Sequence, residues 1–253
     1  MPPLAVVGNL SRDLIAGTPP RAGGGPYHCA RALRLLPARS LIVARSGDPS
    51  LFPPLVALGV PVKRITGTGT SSFAFHYEGD VRIMTVTELG DTWEPETANL
   101  LEPGGWVHVA PLARSDFPPE TVAALAGARR LSFDGQGLVR PARTGPLELD
   151  ADFDPDLLRH VSILKLAEEE AEVIGDLDAL GVPEVVVTHG TRGCHVHVDG
   201  KVEHVPALGV DVDPTGAGDM FSAAYMAARA ARQSPVAAAR RASTIVAEVL
   251  ADL

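Results

Sequence analysis

Cysteine is nearly absent from this sequence. Cys29 and Cys194 stand far apart and form neither metal-binding nor redox spacing. Lysine is almost as scarce, with Lys63, Lys165 and Lys201 the three in the chain. The formal net charge of -9 argues against nucleic acid as a partner, because such a surface repels a phosphate backbone. A small anionic ligand is still allowed, since local dipoles overrule a weak global field. No run approaches the roughly 18 apolar residues of a membrane-spanning helix, so no membrane partner is expected. The opening "MPPLAVVGNL" has no basic n-region and no long apolar run; a signal peptide is not expected, and the cytoplasm is the expected compartment. No G-x-x-x-x-G-K-[ST] occurs, which excludes a P-loop kinase. No G-x-G-x-x-G follows the first strand either, and "GTGTSS" lacks the third glycine of a dinucleotide fingerprint.

What is present is a chain of 253 residues, 45% hydrophobic, long enough to bury a large core without staples. "LAVVGNL" reads as a buried strand, "GGGPYHCARALRLL" as a glycine turn and helix, "SLIVARSG" as a strand and "LFPPLVALGV" as a helix ending at Gly59. This β-α-β-α order predicts an α/β domain whose mostly parallel, doubly wound sheet carries helices on both faces. "SSFAFHYEGDVRIMTVTE" breaks the pattern with period-two alternation around a turn at Glu78, Gly79 and Asp80. It predicts an inserted hairpin over 71–88, a lid or an edge decoration, with Phe73, Phe75 and Tyr77 on one face. From Trp106 the series resumes and ends in two Ala-rich helices. The Pro/Gly-rich "GQGLVRPARTGPLELDADFDP" reads as a loop within one domain, 1–253. "EEEAE" reads as a solvated helix face, and His189, His195, His197 and His204 as exposed strand histidines rather than a metal site.

"DPTGAGDMFSAA", residues 213–224, places glycines where a strand hands over to a helix. A helix start leaves backbone amides unpaired and partly positive, and glycine lets a ligand approach them. Gly216, Ala217 and Gly218 would aim amides at an anion. Asp219 follows in the first turn, where it would repel a merely bound anion. It makes sense beside a hydroxyl that loses its proton as a phosphoryl group arrives. The helix dipole should keep Asp219 ionised and therefore a weak base.

These residues carry a resemblance. "DPTGAGDMF" resembles the C-terminal signature of the ribokinase-like (PfkB) carbohydrate kinases, and four further segments in the right order extend the likeness over nearly the whole chain. "VVGNLSRDLI" resembles the family's first strand, which implies that Asp13, with Ser11 beside it, holds sugar hydroxyls. "GGGPYHCARAL" resembles the glycine pair that grips the substrate, here Gly23 and Gly24. "VVVTHGTRGCHV" resembles the nucleotide segment T-x-G-x-x-G, which implies Thr188, Gly190 and Gly193. "ILKLAEEEAEVI" resembles the segment that usually reads N-x-x-E, which implies that Glu170 holds Mg²⁺ through water, while Lys165 is either a solvated strand end or a phosphate contact. The resemblance implies an ATP-dependent kinase acting on a small polyhydroxylated substrate, with a ribokinase-like fold, a small β lid and Asp219 as the base.

Two departures stand out. Ala167 replaces the usual Asn of N-x-x-E, and His28 stands where many members bind sugar with Asn. "FDGQGLVR" and "GGGPY" are similar to the branch that includes inositol kinases. The rival class is a non-catalytic sugar or nucleotide sensor on the same fold, which Ala167 favours and the intact G-A-G-D opposes. The alternating hairpin would also suit pairing with a twin across a homodimer.

Overall fold

Residues 2–78, 81–208 and 214–252 are described by a computed structural model. The strands are β1 (Leu4–Asn9), β2 (Ser11–Ile15), β3 (Arg21–Gly23), β4 (Ser40–Ser46), β5 (Val62–Thr66), β6 (Ser71–Glu78), β7 (Val81–Glu88), β8 (Trp106–Ala110), β9 (Arg130–Asp134), β10 (Gly145–Pro146), β11 (Ile163–Ala167), β12 (Glu184–Thr188), β13 (Cys194–Val198) and β14 (Lys201–Val205). The helices are α1 (Gly25–Leu33), α2 (Phe52–Val56), α3 (Pro119–Ala126), α4 (Gln136–Val139), α5 (Glu168–Ile174), α6 (Ala217–Ala230) and α7 (Pro235–Ala251).

Nine strands form the main sheet in the order β14-β13-β12-β11-β9-β8-β1-β4-β5. The strands from β12 to β5 pair in parallel, and β13 and β14 add an antiparallel edge. Alternate residues of each strand feed opposite faces. Leu4, Val6 and Val186 pack with α1, α6 and α7 on one side. Ala5, Val7, Val185 and Val187 pack with α3 and α5 on the other. This is the doubly wound α/β fold the strand-helix alternation predicts. The chain runs from β1 outward to β4 and β5, then returns to β8, so the order reverses between β1 and β8. Ligand crevices in such sheets open outside the carboxyl ends of the strands at that reversal.

A second sheet, β10-β7-β6-β2-β3, stands over that end. It is larger than the expected hairpin because two segments join it. β2 pairs in parallel with β6, and β10, from the segment read as a loop, adds to β7. That segment also holds the helical turn α4. Phe73, Phe75, Val86 and Leu112 form a small core between the second sheet and the body. The expected turn residues Gly79 and Asp80, the side chain of Tyr77, and Asp213 of the glycine motif lie outside the described residues. Among the described residues no helix is long and apolar enough to cross a membrane.

Candidate active site

α6 brings the glycine motif to the strand reversal. Glu184 of β12 anchors this helix from below. Buried at 5% exposure, it accepts Tyr225 Oη at 2.6 Å and the Arg229 guanidinium at 2.9–3.1 Å. Cys29 Sγ of α1 donates to the Asp219 carbonyl at 3.3 Å, tying the helix start to its neighbour.

Gly216 is the N-cap of α6, with φ 79°, and a Cβ there would collide with the His28 ring. Glycine is therefore demanded twice, by conformation and by close approach. The Ala217 amide is taken by the Pro214 carbonyl at 2.9 Å and that of Met220 by the Gly216 carbonyl at 3.0 Å. The amides of Gly218 and Asp219 have no backbone partner among the described residues. Of the expected Gly216–Gly218 set, the Ala217 amide is thus engaged within the protein, and the neighbouring Asp219 amide stands with that of Gly218 at the helix start.

Directly beneath lies Lys165 of β11, 5% exposed. Its Nζ is 3.3 Å from Asp134 Oδ2 of β9, and a Cβ on Gly218 would come within 2.9 Å of it. Lys165 is therefore not a solvated strand end. Burial works to lower its pKa, but the carboxylates of Asp134, Glu170 and Asp219 overrule it, and the ammonium is held more firmly than usual. Glu170 is also buried, at 3% exposure, and accepts the Ala167 amide at 2.8 Å. That is half of a capping box: Glu at N3 reaches back, while Ala167 has no side-chain oxygen to answer. Burial raises the pKa of Glu170 and Lys165 opposes it. The acidic run at the start of α5 is thus not simply a solvated face.

Asp219 departs from expectation. Its pKa is raised to about 7, first by the enclosing walls of the cleft and then by Asp134, while Lys165 and Arg140 pull it down. The helix dipole was expected to keep it strongly ionised. Enclosure and a second carboxylate outweigh a half-charge at a helix end.

One cavity of about 380 Å³ joins these groups to Ser11, Asp13, Gly24 and His28. Asp13 sits within β2 of the second sheet, not at the end of the first strand of the main one, and accepts Ser11 Oγ at 2.7 Å. Gly23, opposite Ser11 in β3, leaves room for that pair, since a Cβ there would strike both. Phe73, Phe75, Met84 and Leu112 supply the apolar wall. A second cavity of about 220 Å³ shares Thr188, Gly190, Ala217 and Gly218 with the first and is floored by Leu208, Phe221, Val246 and Leu250. Gly193 (φ 97°) lines it and would clash with Val205 if it carried a Cβ. Thr188, which lines both cavities, donates its hydroxyl proton to the Leu166 carbonyl at 3.1 Å.

All the predicted site residues except Gly23 and Gly193 therefore line the larger cavity. Asp134, Gln136 and Arg140 were missed. "FDGQGLVR" carried the signal, but an Asp at a strand end is indistinguishable in sequence from a surface one. Among the described residues no group of three or more His, Cys, Asp or Glu forms a metal cage. Mg²⁺ does not need one: one or two carboxylates with substrate phosphates and waters are its usual donors, and Glu170 beside the anion-facing amides suits that mode.

The description "pfkB family carbohydrate kinase" matches residues 21–251. The chain is 39% identical over 108 residues to inositol 3-kinase of Zea mays, covering 42% of this chain and 27% of that protein. It is 28% identical over 270 residues to ribokinase of Bacillus subtilis (strain 168), covering 94% and 89%. It thus spans less than a third of the matched inositol 3-kinases of maize and rice. Among solved structures, a pyrophosphate-dependent kinase in the ribokinase family, complexed with a pyrophosphate analog and myo-inositol, superposes with a TM-score of 0.86 at 23% identity, over 98% of this chain and 95% of that one. Fructokinase from Vibrio cholerae O395 with fructose, ADP and calcium superposes at 0.73 with 19% identity, over 99% and 93%. At these identities the likeness is one of fold.

Proposed function

The chain belongs to the pfkB family of carbohydrate kinases, and from that premise we propose that it transfers the terminal phosphoryl group of ATP to a hydroxyl of a small sugar or polyol, inositol-like polyols included. The observation that carries this is that Asp13, Gly218 and Asp219 line one and the same cavity. Asp13, oriented by Ser11, is an acceptor for paired hydroxyls, and His28, whose ring lies against Gly216, lines the same cavity. The apolar wall of Phe73, Phe75 and Met84 fits the C–H face of a ring. Asp219 takes the proton of the attacking hydroxyl. The Gly218 and Asp219 amides and Lys165 hold the charge that spreads over the transferring oxygens, and the enclosed site makes those contacts worth more than in water. Mg²⁺, held through Glu170, would neutralise donor phosphate charge when bound. The β6–β7 hairpin acts as the lid that keeps water from the phosphoryl group.

The second cavity favours a nucleotide donor. Pyrophosphate needs only the amides and cations, whereas the apolar floor of Leu208, Phe221, Val246 and Leu250 beside Gly190 and Gly193 fits a flat base. A sensor is not favoured, since it has no use for a carboxylate whose pKa of about 7 suits a general base.

Phosphate transfer from ATP and from pyrophosphate should be measured across a panel of sugars, inositols and nucleosides. Turnover with ATP and a polyol is expected; silence across the whole panel would remove the enzyme reading, and turnover with pyrophosphate only would remove the donor. Asp13→Ala is expected to raise the acceptor KM by about 10- to 100-fold, as charge-assisted hydrogen bonds to two hydroxyls are lost, with ATP binding nearly intact. A matching loss of ATP affinity would place Asp13 on the donor side instead.

A further inference from the structure

The turn on the donor side of the cleft is strapped by imidazoles. β12 ends at Thr188, a single helical turn covers Gly190–Arg192, and β13 starts at Cys194. Thr188 and Gly190 line both cavities, and His189 lines the larger. The His189 ring is tied at both nitrogens. Nδ1 lies 3.1 Å from Glu168 Oε1 at the start of α5, and Nε2 lies 2.8 Å from His195 Nδ1 on β13. The Arg192 guanidinium pairs with the same Glu168 carboxylate. The Arg192 carbonyl meets His204 Nε2 at 2.9 Å, and His204 faces His195 across the β13–β14 register with ring centroids 5.1 Å apart. Side chains from α5, β13 and β14 thus converge on one turn. Two unrelated surface histidines would not leave the His189 side chain at 15% exposure with both ring nitrogens engaged. That engagement also leaves His189 no nitrogen for a ligand, so its part is to hold the backbone.

The His189–His195 bond needs one nitrogen to donate and the other to accept. It holds with both rings neutral or with one charged. With both charged, two N–H groups face each other and the bond is lost. The groups facing His195 are Glu168 on α5, His189 at the end of β12, His197 on its own strand and His204 on β14, with Arg192 on the turn. α7 packs on the opposite face of β13, against Cys194 and Val196. Burial, and then the neighbouring histidines, hold the His195 pKa below its ordinary value, and Glu168 opposes them.

We propose that His195 is a positioning residue for the phosphoryl donor: through His189 it sets where Thr188 and Gly190 present the donor-side backbone, and entry of a second proton into the histidine pair releases that turn. The proposal rests on the donor reading above, and its test separates the two. His195→Phe keeps a flat ring and strand preference but removes the bond. Calorimetry with MgADP at pH 8 is expected to give about five- to tenfold weaker binding, the net worth of one hydrogen bond, with acceptor KM unmoved. As pH falls below the ordinary imidazole range and the second proton enters, the variant and wild type should converge, because the wild-type strap opens. His195→Gln, which can still bond His189, should recover most of the loss. Hydrogen exchange at amides 189–193 should quicken in His195→Phe at pH 7. Unchanged exchange overturns the strap whatever the donor is. Quickened exchange with unchanged MgADP affinity overturns the positioning role, and so does a variant-to-wild-type ratio that does not narrow as pH falls from 8 to below the ordinary imidazole range. If the wild type uses neither ATP nor pyrophosphate, the donor role fails with the proposed function, and the exchange rates still decide the strap.

Discussion

Asp219→Asn is expected to cut kcat by about 10²- to 10⁴-fold while the KM of neither substrate moves much. Asparagine keeps the shape and most of the hydrogen bonding at the start of α6 but cannot take a proton. The same substitution removes a negative charge beside the Gly218 amide, so ATP should bind slightly tighter. The pH dependence follows from the raised pKa of about 7. The free enzyme must lose this proton to act as a base, so kcat/KM should rise with pH and level off above about 7. Stability runs the other way. The folded-state pKa lies above the unfolded value of 3.8, so the folded protein holds the proton more tightly. The protonated carboxyl therefore imposes no penalty at low pH, and the penalty grows as pH rises through the interval between the two values. Asp219→Asn should raise Tm by a few degrees at pH 8 and leave it unmoved near pH 4. Near-normal turnover in the variant would reduce Asp219 to a helix-start residue, and a lower Tm at pH 8 would contradict the strained carboxylate.

Lys165→Met should act on stability and turnover together. The pair with Asp134 has side-chain exposures of 6% and 0%. Removing the cation leaves a buried carboxylate with no counter-ion, which costs about 3–5 kcal/mol. Turnover should fall by about 10²- to 10³-fold, the range found when one preorganised donor to a developing charge is removed. The double variant Lys165→Met with Asp134→Asn separates the two effects. Neutralising Asp134 as well should restore part of the stability, since it removes the charge nearest the lost cation while Glu170 and Asp219 still face that place. It should not restore turnover, because nothing then faces the transferring phosphate beneath Gly218. A stable double variant with wild-type kcat would make Lys165 no more than the counter-ion of Asp134. Thermal melts and initial rates on the same preparations read both outcomes.

Much of this protein was legible in its sequence because local backbone physics writes itself in residue order. Apolar runs alternating with helix-period segments gave the doubly wound sheet. The glycines at 216 and 193 marked places where a Cβ cannot fit. Asp219 in the first turn of α6 needed only the motif and the dipole argument to be singled out. Tertiary structure decided the rest. Whether "EEEAE" is solvated depends on what packs over it: Glu170 is buried over Ala167, while Glu168 reaches Arg192 and His189 across the fold. Asp13 moved to the second sheet because β2 found β6, some 60 residues away, and no periodicity reports a partner at that distance. The donor-side floor is assembled from Leu208, Phe221 and Leu250, which sit in separate segments with no shared pattern. The protonation of Asp219 went against the local argument for the same reason. A helix dipole can be read from a stretch of ten residues, but desolvation and the charges of Asp134, Lys165 and Arg140 exist only after strands far apart in the chain have been brought together.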